Sequence, residues 1–344
     1  MTPLLVPKIS ETVHFVGSVC LPDQETVFTR LCSSLPSRLR RIPDGETGKR
    51  QHFVIFQRDV FNDSAFVQAP FPPGSAPKTQ EFVPGLDAPQ IHILPVEYDE
   101  FAISGYDKFC KLRNEGLVPE GVRFQVSLPT PINVLGNLVE PSWRARVEPL
   151  YEEALLAALK RIQHSIPSAD LAVQWDLASE FAYLEGAASS PAWFSPLKDG
   201  IMERVLRVAA AVHEDVALGF HLCYGDMGHK HFIEPKDTAL LVGLGNAIVH
   251  GLRRPVDWLH MPVPRNRVDS NYFAPLKRLD IGDTELYLGL LHADDEDGTR
   301  ARIKAAAEFV APFGLATECG LGRSSQAELN SVLEIVSRLR GPEG

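Results

Sequence analysis

A strand-like run, Gly219-Phe220-His221-Leu222-Cys223-Tyr224-Gly225-Asp226, carries His-x-Cys near its end, and far downstream Glu318-Cys319-Gly320-Leu321 closes a second short apolar run. Alternate residues of a strand point to one face, so His221 and Cys223 can aim an imidazole and a thiolate at a common point. Cys319 adds a second sulfur. One nitrogen and two sulfurs are the ligand palette of a zinc site with one position left open, and an open position separates catalytic zinc from structural zinc. Inert burial is the ordinary fate of a single cysteine. The neighbouring histidine and the second strand end favour metal for this set.

The composition narrows the classes of function. The chain has 344 residues, 44% of them hydrophobic and 23% charged, with a net charge of −10 and a pI near 5.6. That is the profile of a globular protein, large enough for a (β/α)8 barrel of about 250 residues plus insertions. The densest basic cluster, Arg38, Arg40 and Arg41, is too short for a polyanion stripe, which argues against nucleic acid or anionic membranes as partners. No apolar run reaches the roughly 18 residues of a membrane span, and the first residues lack a signal-peptide layout. Five scattered cysteines in so large a chain argue against a disulfide framework. A cytoplasmic protein acting on a small molecule is expected, with a homo-oligomer left open.

The elements that must position these ligands are legible as an alternation. Helical periodicity is clearest over 146–163, 201–212, 299–311 and 325–339, the last opened by the capping-box pattern Ser325-x-x-Glu328, with a weaker helix over 235–249. Between them lie apolar runs of strand length at 12–16, 40–42, 122–128, 171–175, 217–222, 257–261, 285–291 and 315–317. Alternating β and α units imply parallel strands, and eight such units predict an α/β fold closed as a single TIM barrel over 1–344. One stretch breaks the rhythm. Residues 61–98, after the second strand, carry Pro70, Pro72, Pro73, Pro77, Pro84, Pro89 and Pro95, and are expected to form a long insertion over the active-site end.

In such a barrel the active site lies at the carboxyl ends of the strands. Those ends carry Ser18, then Asp44, Glu46 and Arg50, then Gln125, then Trp175, Asp176 and Glu180, then His221, Cys223 and Tyr224, then His260, then His292, then Cys319. Asp44, Asp294 and Asp295, each taken alone, read better as turn formers or helix caps than as catalytic groups. His260 suits a core-lining or a metal-facing role alike. His229 and His231 suit a pocket-rim loop better than a second metal cluster. Trp175, Tyr224, Trp258 and Phe273 could wall a flat substrate or simply fill the core.

These motifs resemble the catalytic domain of cobalamin-independent methionine synthase, in the superfamily that also contains uroporphyrinogen decarboxylase. The resemblance rests on His221-x-Cys223 and Cys319-Gly320-Leu321, with Gly17-Ser18 similar to the family's early Gly-Ser turn. Gln174-Trp175-Asp176 is similar to its Gln-x-Asp-Glu segment. Order and approximate spacing agree from about residue 12 to residue 340. The resemblance implies zinc held by His221, Cys223 and Cys319, a substrate thiol activated on it for methyl or other alkyl transfer, Asp176 holding a substrate ammonium group and Ser18 a carboxylate. Three departures stand against simple transfer of function. The sixth-strand segment Asp257-Trp258-Leu259-His260-Met261-Pro262 lacks the family's glutamate ligand, so either His260 replaces it or three protein ligands remain. The chain has about the length of the catalytic barrel alone. The polar run Ile42-Pro43-Asp44-Gly45-Glu46-Thr47-Gly48-Lys49-Arg50 has no counterpart in that family and is expected to contact a different substrate.

Zinc-dependent alkyl transfer to a thiol, on an amino-acid-like or other small substrate, is therefore the leading reading. In the alternative, zinc polarises a carbonyl or activates water, with Asp44, Glu46, Asp176, Glu180 or His260 as general acid or base, giving a lyase, hydrolase or isomerase. A third reading keeps the barrel for binding alone, and a dry, apolar strand-end face would favour it.

Overall fold

Each of the eight apolar runs becomes a strand in a computed structural model that describes residues 9–61, 66–67, 81–83, 91–225 and 230–339. The strands are β1 (Ile9–His14), β2 (Arg41–Pro43), β3 (Arg123–Pro129), β4 (Leu171–Leu177), β5 (Ala217–Leu222), β6 (Trp258–Pro262), β7 (Glu285–Leu291) and β8 (Phe313–Thr317). They pair in parallel in the order β1-β8-β7-β6-β5-β4-β3-β2, so each strand lies beside its neighbour in sequence and the last returns to the first. The remaining gap between β1 and β2 is tied by single contacts: Val13 N–H donates to Arg38 O at 2.9 Å, and Val19 N–H to Gly45 O at 2.8 Å. The result is a nearly closed (β/α)8 barrel. Two strands differ most from the periodicity: β1 starts at Ile9 and ends at His14 instead of covering 12–16, and β4 runs on to Leu177 and so takes Asp176 into the ladder.

The surrounding helices are α1 (Gln24–Ser34), α2 (Tyr98–Asn114), α3 (Pro131–Leu138), α4 (Arg144–Ser165), α5 (Ser179–Leu184), α6 (Leu197–Ala209), α7 (Ala239–Gly251), α8 (Ser270–Phe273), α9 (Glu296–Ala307) and α10 (Gln326–Arg338). Five match the periodic segments: α4, α6, α7, α9 and α10, and both halves of the Ser325 and Glu328 capping box are formed. The longer helices that periodicity missed, α1 and α2, bury polar or small residues within their inner faces, Gln24 in α1 and Asp99 and Gly105 in α2, which interrupts the apolar stripe. Between β2 and α2 the chain first makes a 3₁₀ run, Gly48–Phe61. Of the proline-rich insertion, 62–65, 68–80 and 84–90 lie outside the described residues. The described part packs on the α3–α4 side: Phe66 stacks on Trp143 with centroids 5.1 Å apart, Phe82 meets the same indole edge-on, and Val67 bridges to Val139. Among the described residues no helix is long and apolar enough to cross a membrane.

Strand parity divides the core in two. Leu171, Val173, Trp175 and Leu177 of β4 belong to the large apolar layer shared with the helices, whereas Ala172 joins Ala217, Trp258, Tyr287 and Ala316 in a small cluster inside the barrel. Trp258 fills the centre of that interior because Gly219 leaves room for it: a Cβ on Gly219 would lie 2.0 Å from the indole. The Arg41 guanidinium stacks on the same indole at 4.1 Å and pairs through Nη2 with Glu285 at 2.6 Å. This offsets part of the cost of holding a cation almost wholly out of water, although its Nε and Nη1 have no hydrogen-bond partner among the described residues. With this floor filled, the polar residues that follow along the same faces lie at the mouth. Gly219→Ala should therefore cost about 2–3 kcal/mol by overpacking, measured as a lowered urea midpoint. An unchanged midpoint would contradict the seating of Trp258.

Candidate metal centre and active site

On β5 the interior face runs Ala217, Gly219, His221, and the ladder continues one step past the strand, where Cys223 N–H donates to Leu177 O at 2.8 Å. Cys223 is thereby held on the same side as His221. Cys319 arrives from the turn after β8, fixed by Thr317 Oγ1, which donates to Cys319 O at 2.8 Å, and by Leu321 N–H, which donates to Ser18 O at 2.7 Å. Gly320 lets this turn lie against the end of β1, since a Cβ there would sit 2.4 Å from Ser18 Oγ.

The three ligand atoms converge. Cys319 Sγ lies 3.8 Å from Cys223 Sγ and 3.8 Å from His221 Nε2, and all three atoms fall within 4.8 Å of one another. Tetrahedral zinc with bonds of about 2.3 Å to sulfur and 2.0 Å to nitrogen has ligand-to-ligand edges of roughly 3.5–3.8 Å. The donor set fits zinc, and the two edges at Cys319 lie at that spacing, while the third is bounded only by 4.8 Å. Gly225 N–H donates to Cys223 Sγ at 3.3 Å, which helps to fix the position of this sulfur. Burial, and then the neighbouring His260, hold the His221 ring well below its usual pKa, so it is neutral and able to ligate.

The cluster forms one wall of a cavity of about 370 Å³. Ser18, Glu46 and Asp176 line the same cavity, with His52, Asn133, Ser179 and Arg323 as further polar groups and Val54, Ile55, Ala178, Ala182 and Phe232 as apolar ones. Asp176 stands beside His221 in the β4–β5 register, and its Oδ1 accepts from Gln174 Nε2 at 2.8 Å. Burial, and then the Glu46 carboxylate, push the Asp176 carboxyl well above the usual range. Burial likewise lifts Glu46 to about 7, against the pull of Arg50. The strand-end face is thus a concave cavity in which these polar groups share a largely apolar lining, not the wholly dry surface that a binding-only barrel would show.

The other expected site residues lie elsewhere. Asp44 does not line the cavity: its carboxylate accepts from Glu46 N–H at 3.0 Å, Gln24 Nε2 at 2.9 Å and Arg50 Nη2 at 2.5 Å, which makes it the turn former that sets Glu46. Arg50 is spent on that ion pair and on the Phe101 ring, 4.4 Å away. Gln125 bonds inside the barrel to Val16 O at 2.8 Å. Trp175 faces the helices by strand parity, and Trp258 and Phe273 are fully buried, so none of them walls a substrate. Tyr224 is buried against Phe181 and Phe232 and donates to Glu185 at 3.2 Å. His260 is wholly buried beneath His221. His292 lines a second cavity, of about 450 Å³, with Arg265, Glu318 and His231. Burial lowers His231, but the hydrogen bond and charge of Glu318, with those of Glu234, outweigh it and hold the ring near 9. His229 lies outside the described residues. Asn133 and Ser179 were missed because they stand in the first turns of α3 and α5, a few residues beyond the strand ends, and Arg323 because it lies past the Cys-Gly-Leu motif.

Glu180 is fully buried and receives a hydrogen bond from Thr130 Oγ1, while its Oε2 has no hydrogen-bond partner among the described residues. Burial raises its pKa from the ordinary 4.5 to about 7. A carboxyl that binds its proton more tightly when folded stabilises fully below its unfolded pKa, and that stability is lost as pH rises through the folded value. The wild-type chain should therefore lose stability between about pH 4.5 and pH 7. Glu180→Gln should gain on it over that window by on the order of 3 kcal/mol. Urea unfolding at several pH values checks this, and parallel pH curves for the two proteins would refute it.

No protein-family model matches the chain, and no curated protein matches it. Among solved structures it is similar to a B12-independent methionine synthase from Shewanella sp. W3-18-1 in complex with selenomethionine, at 16% identity and a TM-score of 0.57, with 96% of each chain covered. It is also similar to a proposed vitamin B12-independent methionine synthase from Listeria monocytogenes, at 14% identity and a TM-score of 0.52, over 98% of this chain and 100% of that one. At these identities the likeness is one of fold: the chain shares the barrel of the B12-independent methionine synthase structures along nearly its whole length.

Proposed function

We propose that the chain is an enzyme that transfers a methyl or other alkyl group between a small donor and a thiol, with zinc held by His221, Cys223 and Cys319. One observation carries this reading: one imidazole and two cysteine sulfurs converge to within 4.8 Å of one another on the wall of a cavity. When bound there, zinc supplies the Lewis acidity that deprotonates a thiol at neutral pH yet leaves it nucleophilic.

The chain's own residues supply the rest. Asp176 and Glu46 face one cavity, and burial together with Glu46 raises the proton affinity of Asp176, so an incoming ammonium group would restore the ionised form of Asp176 and be held by it. Ser18 and Arg323, on the same lining, suit a substrate carboxylate. Such a set fits an amino-acid-like thiol, and the selenomethionine bound by the Shewanella protein supports that choice. The apolar lining from Val54, Ile55, Ala178 and Phe232 limits water around the reacting atoms. In the transfer the sulfur–carbon bond forms as the bond from that carbon to the donor's leaving atom breaks. Glu46, near 7, is poised to give the leaving atom a proton. The free thiols at the site suit a reducing, cytoplasmic setting. We take the described residues as one barrel unit.

The paired carboxyls also support a second reading, in which they act as general acid and base on a small carbonyl compound in a zinc-dependent lyase, hydrolase or isomerase. Metal analysis of the purified protein should give about one zinc per chain, falling to near zero in Cys223→Ser and Cys319→Ser; full zinc in both variants would overturn both readings. Adding thiol to the cobalt-substituted protein should change its sulfur-to-metal charge-transfer band. An unresponsive spectrum would favour the second reading.

A further inference from the structure

The sixth-strand residue at the level of the cluster is His260, in register with His221. Two short hydrogen bonds account for both its ring nitrogens. Nε2 lies 3.0 Å from Thr317 O, and Nδ1 lies 2.7 Å from His221 Nδ1. A carbonyl oxygen can only accept, so Nε2 of His260 carries a hydrogen. The ring is fully buried and touches no carboxylate through either nitrogen, which leaves it in its neutral form with a bare Nδ1. The 2.7 Å contact then needs a hydrogen from the other side, and His221 Nδ1 must supply it. A neutral His221 protonated at Nδ1 has its lone pair on Nε2, the atom 3.8 Å from Cys319 Sγ.

We propose that His260 is a positioning residue that locks His221 in the tautomer able to bind metal through Nε2, and is not itself a ligand. The inference rests on the metal-site reading above and adds the device that prepares the site. The chain of bonds starts at Thr317 O, passes through His260, and ends at the nitrogen donor. Thr317 also holds Cys319 through its hydroxyl, so one residue braces a sulfur ligand and, through His260, the nitrogen ligand. Metal-binding histidines generally give their second N–H to a carboxylate, a carbonyl or water, which fixes ring and tautomer. Here a second histidine takes that place, in a barrel interior where His14 packs against it and Trp258 packs against His14. Isolated neutral imidazoles carry their hydrogen on either nitrogen. Without His260 the orphaned Nδ1–H of His221 would face a void, and the ring would be free to swap tautomers or turn. The absence of a carboxylate ligand on this strand also leaves three protein donors and a coordination position for substrate.

Two measurements test this. In zinc-free wild-type protein labelled with ¹⁵N-histidine, His221 should show a protonated Nδ1 and a bare Nε2, with the reverse pattern for no part of its population; a protonated Nε2 on His221 overturns the proposal. Zinc affinity, by competition with a chelator, should weaken about 10–100-fold in His260→Phe. It should recover in part in His260→Asn, whose amide oxygen can accept from His221 Nδ1. Wild-type zinc affinity in a folded His260→Phe protein overturns the proposal. If wild-type protein binds no zinc, the metal-site reading falls, while the ¹⁵N pattern still decides the tautomer. If His260→Phe does not fold, His260→Asn and the ¹⁵N pattern decide instead.

Discussion

Every group at the mouth of this barrel depends on strand parity. A residue on β5 points either into the barrel or toward the helices, and the interior set is Ala217, Gly219, His221 and then Cys223. A slip of one residue would send Leu218, Phe220 and Leu222 inward and turn the nitrogen and sulfur donors into the helix layer. What holds the register is the floor beneath them. Trp258 occupies the space that Gly219 leaves, and its indole donates to Gln174 Oε1 at 3.2 Å, an atom that also accepts from His14 Nε2 at 2.9 Å. The adjacent strands are thus pinned by side-chain contacts as well as by the ladder.

Above the floor, the interior changes from packing to chemistry within two residues along each strand. Ala172, Gln174 and Asp176 of β4 run from apolar cluster to hydrogen-bonded spacer to cavity wall, and Gly219, His221 and Cys223 follow the same progression. The carboxyls that reach the cavity are costly to ionise because the barrel keeps water from them. A fold that wanted only stability would not place them there. Their raised proton affinity is consistent with a site built to receive positive charge or to move a proton, and it lies against the three metal-type donors rather than in a remote corner.

Most of the architecture was legible in the sequence because β-α alternation is a local signal. All eight strands and the five most periodic helices were readable from apolar spacing alone. The helices α1 and α2 were not, because Gln24, Asp99 and Gly105 are buried by tertiary neighbours that no local pattern announces. At the site, the rule that strand ends carry function brought Ser18, Glu46, Asp176, His221, Cys223 and Cys319 together. The same rule could not separate them from Asp44, Arg50, Glu180 and Gln125, since residues one or two apart on a turn face different neighbours. Asp44 and Arg50 satisfy each other, and Glu180 is closed off behind Thr130. His260 shows the limit most plainly: its type and position suited a ligand, and only the two short contacts to His221 and Thr317 reveal a supporting role.

The central claim is a zinc ion on one nitrogen and two sulfurs, with a remaining position open to a thiol. Zinc-edge X-ray absorption on the purified protein tests it most directly. The account predicts two sulfur neighbours at about 2.3 Å and light-atom neighbours at about 2.0 Å, with a third sulfur replacing a light atom when a thiol substrate is added. A sulfur count that stays at two in saturating thiol, or a shell of oxygen and nitrogen alone, would contradict it.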